Sequence, residues 1–400
     1  MTHPTTRHAT TRLRIIVLGY IVRFPLGGMA WHYLQYVMGL ARLGHDVYFV
    51  EDSDDYPSCY DPARHVTDTD PTYGLRFAGR VFEQMGLADK WAYHDAHTSR
   101  WHGPCAGGIN DICGTADLLI NVSGANPLRP SMLSVPHRVF LDTDPVFEQV
   151  RQLTVPSRKK RALEHTAYFS FGENIGSDRS AIPDDGLPWQ PTRQPVVLDA
   201  WPVTPGSVGS RFTTIMQWDS YQTRVYDGIE YGMKSRSFEP YMDLPDKVGS
   251  TLELALGSPT APRPLLRSNG WRLRDPLEVT IDCWTYQDYI QQSKGEFSVA
   301  KHGYVVGRSG WFSERSAAYL ASGRPVVTQD TGISDWLQTG EGVIAFKTPQ
   351  EAVDGIDRVN SRYEDHCRAA RELAACFFDS NKVLTRLIDE TMNAPVMNAS

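Results

Sequence analysis

The chain has 400 residues, 41% of them hydrophobic. That is enough for two α/β domains, because single cores stop growing at roughly 250–300 residues. Its 47 acidic residues outweigh 40 Lys and Arg for a formal charge of −7, and Arg158–Arg161 is the one basic run, which argues against nucleic-acid and membrane-surface roles.

No apolar run approaches the roughly 18 residues of a membrane span. Residues 1–12 are polar, lack the apolar core of a signal peptide and read as a disordered leader. The six cysteines are scattered without metal-ligand spacing, so a reduced, cytoplasmic protein is expected.

Leu13–Gly19 reads as a first buried strand. The Pro25-Leu-Gly27-Gly28 loop follows, then a helix in which Met29, Tyr33, Tyr36, Leu40 and Leu43 recur at helical spacing. Gly44-His45 stops it, and Asp46–Val50 is the next strand. A glycine loop at the carboxyl end of the first strand of a βαβ unit is where open α/β sheets bind ligands, although the dinucleotide fingerprint GxGxxG is absent. His32 lies one turn into this helix and is a candidate for facing a cleft.

Residues 53–115 read as irregular and polar, a candidate binding loop. Strands with polar ends are expected at 117–124, 138–145 and 167–174, the middle one with Asp142 and Asp144 at its carboxyl end. Asp142, Asp144 and His32 are candidate general bases, in no fixed order. A Pro/Gly/Ser-rich patch over 183–210 marks a domain boundary.

Strands are expected again at 211–218, 251–256, 279–282 and 343–346, with a polar loop over 219–231 and a helix over 286–293. Lys234 and Lys301 are candidate phosphate cations. Thr348-Pro-Gln-Glu351 has the capping-box pattern, and 363–392 reads as mostly helical.

Arg308 to Asp330 reads as a polar loop, a short helix capped by Ser313 with Glu314 in its first turn, a left-handed stop at Gly323, and a strand beginning at Pro325. A small-residue loop feeding a helix N-terminus is an anion site, since free amides and the helix dipole point at the same place.

Taken together, Gly27-Gly28 with Gly44-His45-Asp46-Val47, and Ser309-Gly-Trp-Phe-Ser313 with Ala321-Ser-Gly-Arg-Pro-Val-Val327, resemble the GT-B glycosyltransferases over most of the chain. The resemblance implies two Rossmann-like domains facing each other across a cleft. Residues 13–205 would form the acceptor domain, 206–370 the nucleotide-sugar domain, and 371–400 a C-terminal helix crossing back. Ser309–Ser313 is similar to the Cys-Gly-Trp-Asn-Ser stretch of nucleotide-sugar transferases. Carried over, Ser309, Gly310, Phe312 (through its backbone) and Ser313 would contact the donor diphosphate, with Gly27 and Gly28 opposite. Lys234, Lys301 and Arg315 would supply cations. Two departures stand out: Arg308 stands where those enzymes carry a histidine, and the ribose-gripping glutamate falls near Ala318, or Ser316 by the other alignment, which leaves Glu314 as a substitute. The paired-glutamate motif of the large retaining families is also incomplete, with Gly310 and Ala318 at its two positions.

The resemblance also implies no cofactor and no essential metal, only a UDP-, GDP- or dTDP-linked sugar as co-substrate. The aromatic-rich first domain (Trp31, Tyr56, Trp91, Trp101) suits a small, partly apolar acceptor, such as a natural product. No nucleic-acid partner and no transmembrane segment are expected, and a homodimer is left open. A nucleotide-sugar 2-epimerase, a polysaccharide or cell-surface glycosyltransferase and a two-lobed ligand binder are the competing readings.

Overall fold

The computed structural model describes residues 12–204, 209–249 and 251–393. The expected leader, apart from Arg12, and the expected boundary at 205/206 lie outside those residues.

Ile15, Ile16, Val17 and Leu18 are fully buried, as a strand covered on both faces requires. Their strand, Arg14–Leu18, sits inside an eight-stranded sheet. On one side lie Asp46–Asp52, Trp91–Asp95 and an antiparallel edge, Arg100–His102. On the other lie Leu118–Val122, His137–Asp142, Ala167–Ser170 and Trp189–Pro191. Strand order therefore reverses beside Arg14–Leu18, and the Gly27–Arg42 helix starts in the crevice this opens.

The second sheet is parallel throughout, in the order Arg272–Arg274, Leu252–Gly257, Phe212–Gln217, Gly295–Ser298, Val326–Gln329, Val343–Phe346. Its order also reverses around its first strand, Phe212–Gln217. Two doubly wound lobes follow, and the chain has the GT-B fold.

The C-terminal segment returns to the first lobe. Val196 and Phe378 share a backbone hydrogen bond of 2.7 Å, and the Ser380–Asn393 helix lies on the Gly27–Arg42 helix. Gly39 permits the approach, since a Cβ there would stand 2.5 Å from Leu384 Cδ1.

Three expectations from the sequence are corrected. Residues 53–115 are not irregular: they hold a small hairpin (Cys59–Asp61 with Val66–Asp68), the helix Thr72–Gln84 and two strands of the main sheet. Gly74 and Gly79 interrupt the helical spacing of Phe77, Val81 and Phe82, yet Gly74 is needed where the helix crosses the Val22 carbonyl. The polar stretch 219–231 carries a second hairpin, Arg224–Tyr226 with Ile229–Tyr231, turned by Asp227-Gly228 at positive φ. Residues 279–282 are no strand: Leu277–Thr280 is helical and Asp282 caps Cys283–Gln292 by accepting the Thr285 amide at 2.8 Å.

Candidate active site

The lobes enclose a cleft of about 1530 Å³. Gly28 and His32 line it from the first lobe, Ser313, Glu314 and Arg315 from the second. The two loops singled out in the sequence thus converge on one crevice.

The second-lobe wall is built by the Glu314–Ala321 helix. Ser313 caps it as its residue type dictates, its Oγ accepting the Arg315 amide at 3.2 Å. Gly323 ends it at φ 68°. Arg315 is buried and tied down, donating to Glu296 at 2.6 Å, the Ile215 carbonyl at 2.7 Å and Ser298 Oγ at 3.1 Å. Lys234 differs. It is 9% exposed, lines the same cleft, and has no carboxylate or hydrogen-bond partner among the described residues. Burial, with Arg315 and Lys301 nearby, pulls its pKa down to about 7. Glu314 is exposed in the cleft and also lacks a partner among the described residues.

Four expected donor contacts are placed elsewhere. Gly27 meets the second lobe directly, since a Cβ there would stand 2.0 Å from the Asp282 carbonyl oxygen. Gly310, at φ 72°, packs against Asn174, and its amide is used by the Thr331 carbonyl at 2.8 Å. Ser309 is fully buried in the turn, its Oγ accepting the Trp311 amide at 3.2 Å. Phe312 stacks on Phe378, and its carbonyl accepts from Gln194 of the first lobe. The Ser309–Phe312 stretch therefore joins the lobes, and the face it turns to the cleft begins at Trp311 and Ser313.

The three candidate bases separate clearly. Both oxygens of Asp142 are occupied, by the Asp144 amide at 2.8 Å, Ser170 Oγ at 2.7 Å and Gln149 Nε2 at 3.1 Å. Burial, reinforced by Glu148, pushes its pKa up to about 7. Asp144 accepts from Lys301 at 2.8 Å and Arg151 at 2.6 Å, and from the hydroxyls of Tyr221 and Tyr304. Burial alone would raise this carboxyl, but Lys301 and Arg151 hold it at about 2. Asp144 has all four of its lone-pair sites taken, Asp142 has three of four taken and is 1% exposed, and Lys301 is spoken for by Asp144. His32 remains. Burial lowers its pKa, so the ring is neutral at pH 7, and Nε2 stands 3.5 Å from Ser123 Oγ, itself 2.8 Å from Thr143 Oγ1.

Sequence reading missed the partners that arrange this wall. Tyr221, Tyr304 and Arg151 converge on Asp144 from separate elements, with no spacing in the chain to announce them. Glu51 is buried and accepts the amides of Ile21, Val22 and Arg23 at 2.6–2.7 Å, shaping the loop that leads to Gly27. Its place at the carboxyl end of a buried strand was the available signal. The expected aromatic wall is also different. Trp31 and Trp91 are core residues, and the cleft shows Tyr20, Phe24, Tyr60, Tyr221, Tyr286 and Trp311 instead.

No family model matches the chain, and no curated protein matches it in sequence. Solved structures do. An alpha-glucosyltransferase in complex with UDP-glucose and DNA containing an abasic site aligns with a TM-score of 0.58 at 11% identity, over 96% of this chain and 100% of that one. Anabaena Alr3699/HepE in complex with UDP and glucose aligns with 0.54 at 10% identity, over 96% and 100%. A glycosyltransferase from Rickettsia africae ESF-5 aligns with 0.50 at 10% identity, with the same coverage.

These neighbours correct one expectation. The exclusion of nucleic acid rested on net charge and the small-molecule acceptor on the aromatic residues of the first domain, yet alpha-glucosyltransferase structures that share this fold hold DNA. Net charge also misdescribes the cleft, where nine Lys and Arg side chains face six Asp and Glu. The residues lining a concavity, rather than the whole-chain sum, set its potential.

Proposed function

We propose that the protein transfers a sugar from a UDP-linked donor to an acceptor held between the lobes. The observation that carries this reading is Lys234, a buried cation without a partner among the described residues, on the same cleft wall as the capped N-terminus of Glu314–Ala321. A buried, unpaired ammonium is costly unless an anion completes it, and the helix N-terminus attracts the same charge. The neighbours holding UDP support a uridine diphosphate as that anion.

In the reaction, the acceptor oxygen bonds the anomeric carbon. The bond from that carbon to the diphosphate breaks, and its electrons leave on UDP. Lys234 and the Ser313 and Glu314 amides stabilise the departing charge. Preorganised donors of this kind are each worth about 10²–10³ in rate. Neutral His32 takes the hydroxyl proton. With cations and amides in that role, the reaction needs no metal ion, and turnover in the presence of EDTA tests this.

Of the competing readings, a binder would need no cleft larger than its ligand. A cleft of about 1530 Å³ exceeds a typical ligand pocket and leaves room for a second substrate. Calorimetric titration with UDP, followed by transfer assays with UDP-sugars, tests the proposal. A chain that binds no UDP, or binds it equally well without Lys234, would refute it.

A further inference from the structure

We infer that the acceptor is a single nucleic-acid strand, held by Arg158 on one lobe and by Arg224 and Arg267 on the other. This rests on the donor reading above but uses residues outside the donor site.

The three arginines come from separate elements: the Pro156–Ala162 helix, the Arg224–Tyr226 strand of the second hairpin, and the Arg263–Ser268 helix. All three line the cleft. None has a carboxylate in salt-bridge range or a side-chain hydrogen bond among the described residues, whereas Arg151, Arg274 and Arg315 in the same cleft are each paired to an acid. Arg224 is half-buried in the cleft wall and still meets no acid among the described residues.

Guanidiniums match phosphate geometry through a bidentate fork. Placing them on both walls calls for phosphates at more than one position, which a repeating phosphodiester supplies and a single phosphoryl group does not. The cleft also offers flat faces. Phe24 and Tyr60 stack on each other, 5.2 Å between centroids at 24°, and both line the cleft. Arginines interleaved with exposed aromatic rings are how proteins hold single strands, charge tracking the backbone and rings receiving bases. A phosphate-bearing glycan would meet the same arginines and set its sugar rings on the aromatic faces, and direct competition separates it from a strand. The acidic body around a basic cleft would confine the strand to the cleft.

The test uses the full chain and a fluorescently labelled single-stranded 20-mer, with the duplex, heparin and a phosphate-bearing glycan as competitors, titrated by anisotropy across salt concentrations. UDP affinity is measured separately by calorimetry. The single strand should bind and compete best. Each of Arg158→Gln, Arg224→Gln and Arg267→Gln should lower the slope of log K against log salt by about 0.7, the single-strand increment per phosphate contact. UDP affinity should stay unchanged in all three. Intact UDP binding with no strand binding would overturn the inference alone. So would stronger competition by heparin or the glycan, or a slope indifferent to all three substitutions. Loss of UDP binding in the unsubstituted chain would instead overturn the donor reading.

Discussion

Asp144 of the first lobe accepts the Lys301 ammonium of the second at 2.8 Å, with Arg151 on its other oxygen at 2.6 Å. Tyr221 and Tyr304, both from the second lobe, add their hydroxyls. The pair is partly buried, so the carboxylate joins the lobes beside the donor wall while staying ionised at any ordinary pH.

Asp144→Asn should therefore act on lobe packing more than on chemistry. It leaves Lys301 and Arg151 without their shared counter-charge, and breaking one side of a buried pair costs about 3–5 kcal/mol. Denaturant unfolding should show the loss. UDP affinity of the protein that remains folded should change much less. Stability indistinguishable from the parent would refute this role.

Lys234→Met should weaken UDP binding and cut turnover by about 10²–10³. The pH dependence follows from the lowered pKa of about 7. The ammonium binds the diphosphate and the free amine does not, so affinity should hold below pH 7 and fall as pH rises through it. Calorimetry at pH 6, 7 and 8.5 on parent and variant would show the slope and its disappearance in the methionine variant.

If His32 accepts the hydroxyl proton, His32→Ala should lower kcat by about 10²–10⁴ with little change in UDP affinity. Burial lowers the pKa of the ring, so the base stays unprotonated to lower pH than an exposed histidine would. The acid limb of the kcat profile should accordingly lie below the usual histidine range. An acid limb that survives in the alanine variant would assign the base elsewhere.

Adjacent glycines should respond differently. A Cβ at Gly27 would lie 2.0 Å from a backbone oxygen of the other lobe, so Gly27→Ala forces the lobes apart. The expected cost is about 1–3 kcal/mol, as for overpacking generally. At Gly28 the nearest atom is the Tyr286 ring edge at 2.9 Å. That ring lines the cleft and can shift, so Gly28→Ala should alter the UDP dissociation constant more than the melting temperature. Equal melting temperatures for the two variants would contradict the interlobe role of Gly27.

Both lobes and their order are written in local residue patterns. Buried runs such as Ile15–Leu18 and Val326–Val327, together with Ser313 as cap, Gly323 as left-handed stop and the Thr348–Glu351 capping box, are local chemistry that each segment expresses wherever it is placed. The same locality explains why Gly28, His32 and Ser313 were recognisable as a cleft. Each follows from the topology of its own βα unit. Which candidates keep a free atom is settled by the fold. Asp142, Asp144, Lys301 and Gly310 carry the residue types that chemistry would want, but partners from 2 to 160 positions away take up most of their hydrogen-bonding capacity. Lys234 is left facing the cleft because no such partner reaches it among the described residues, and His32 keeps only the Ser123 hydroxyl at 3.5 Å. Whether a polar group is spent or available depends on what the fold brings within about 3 Å of it, and no spacing along the chain encodes that.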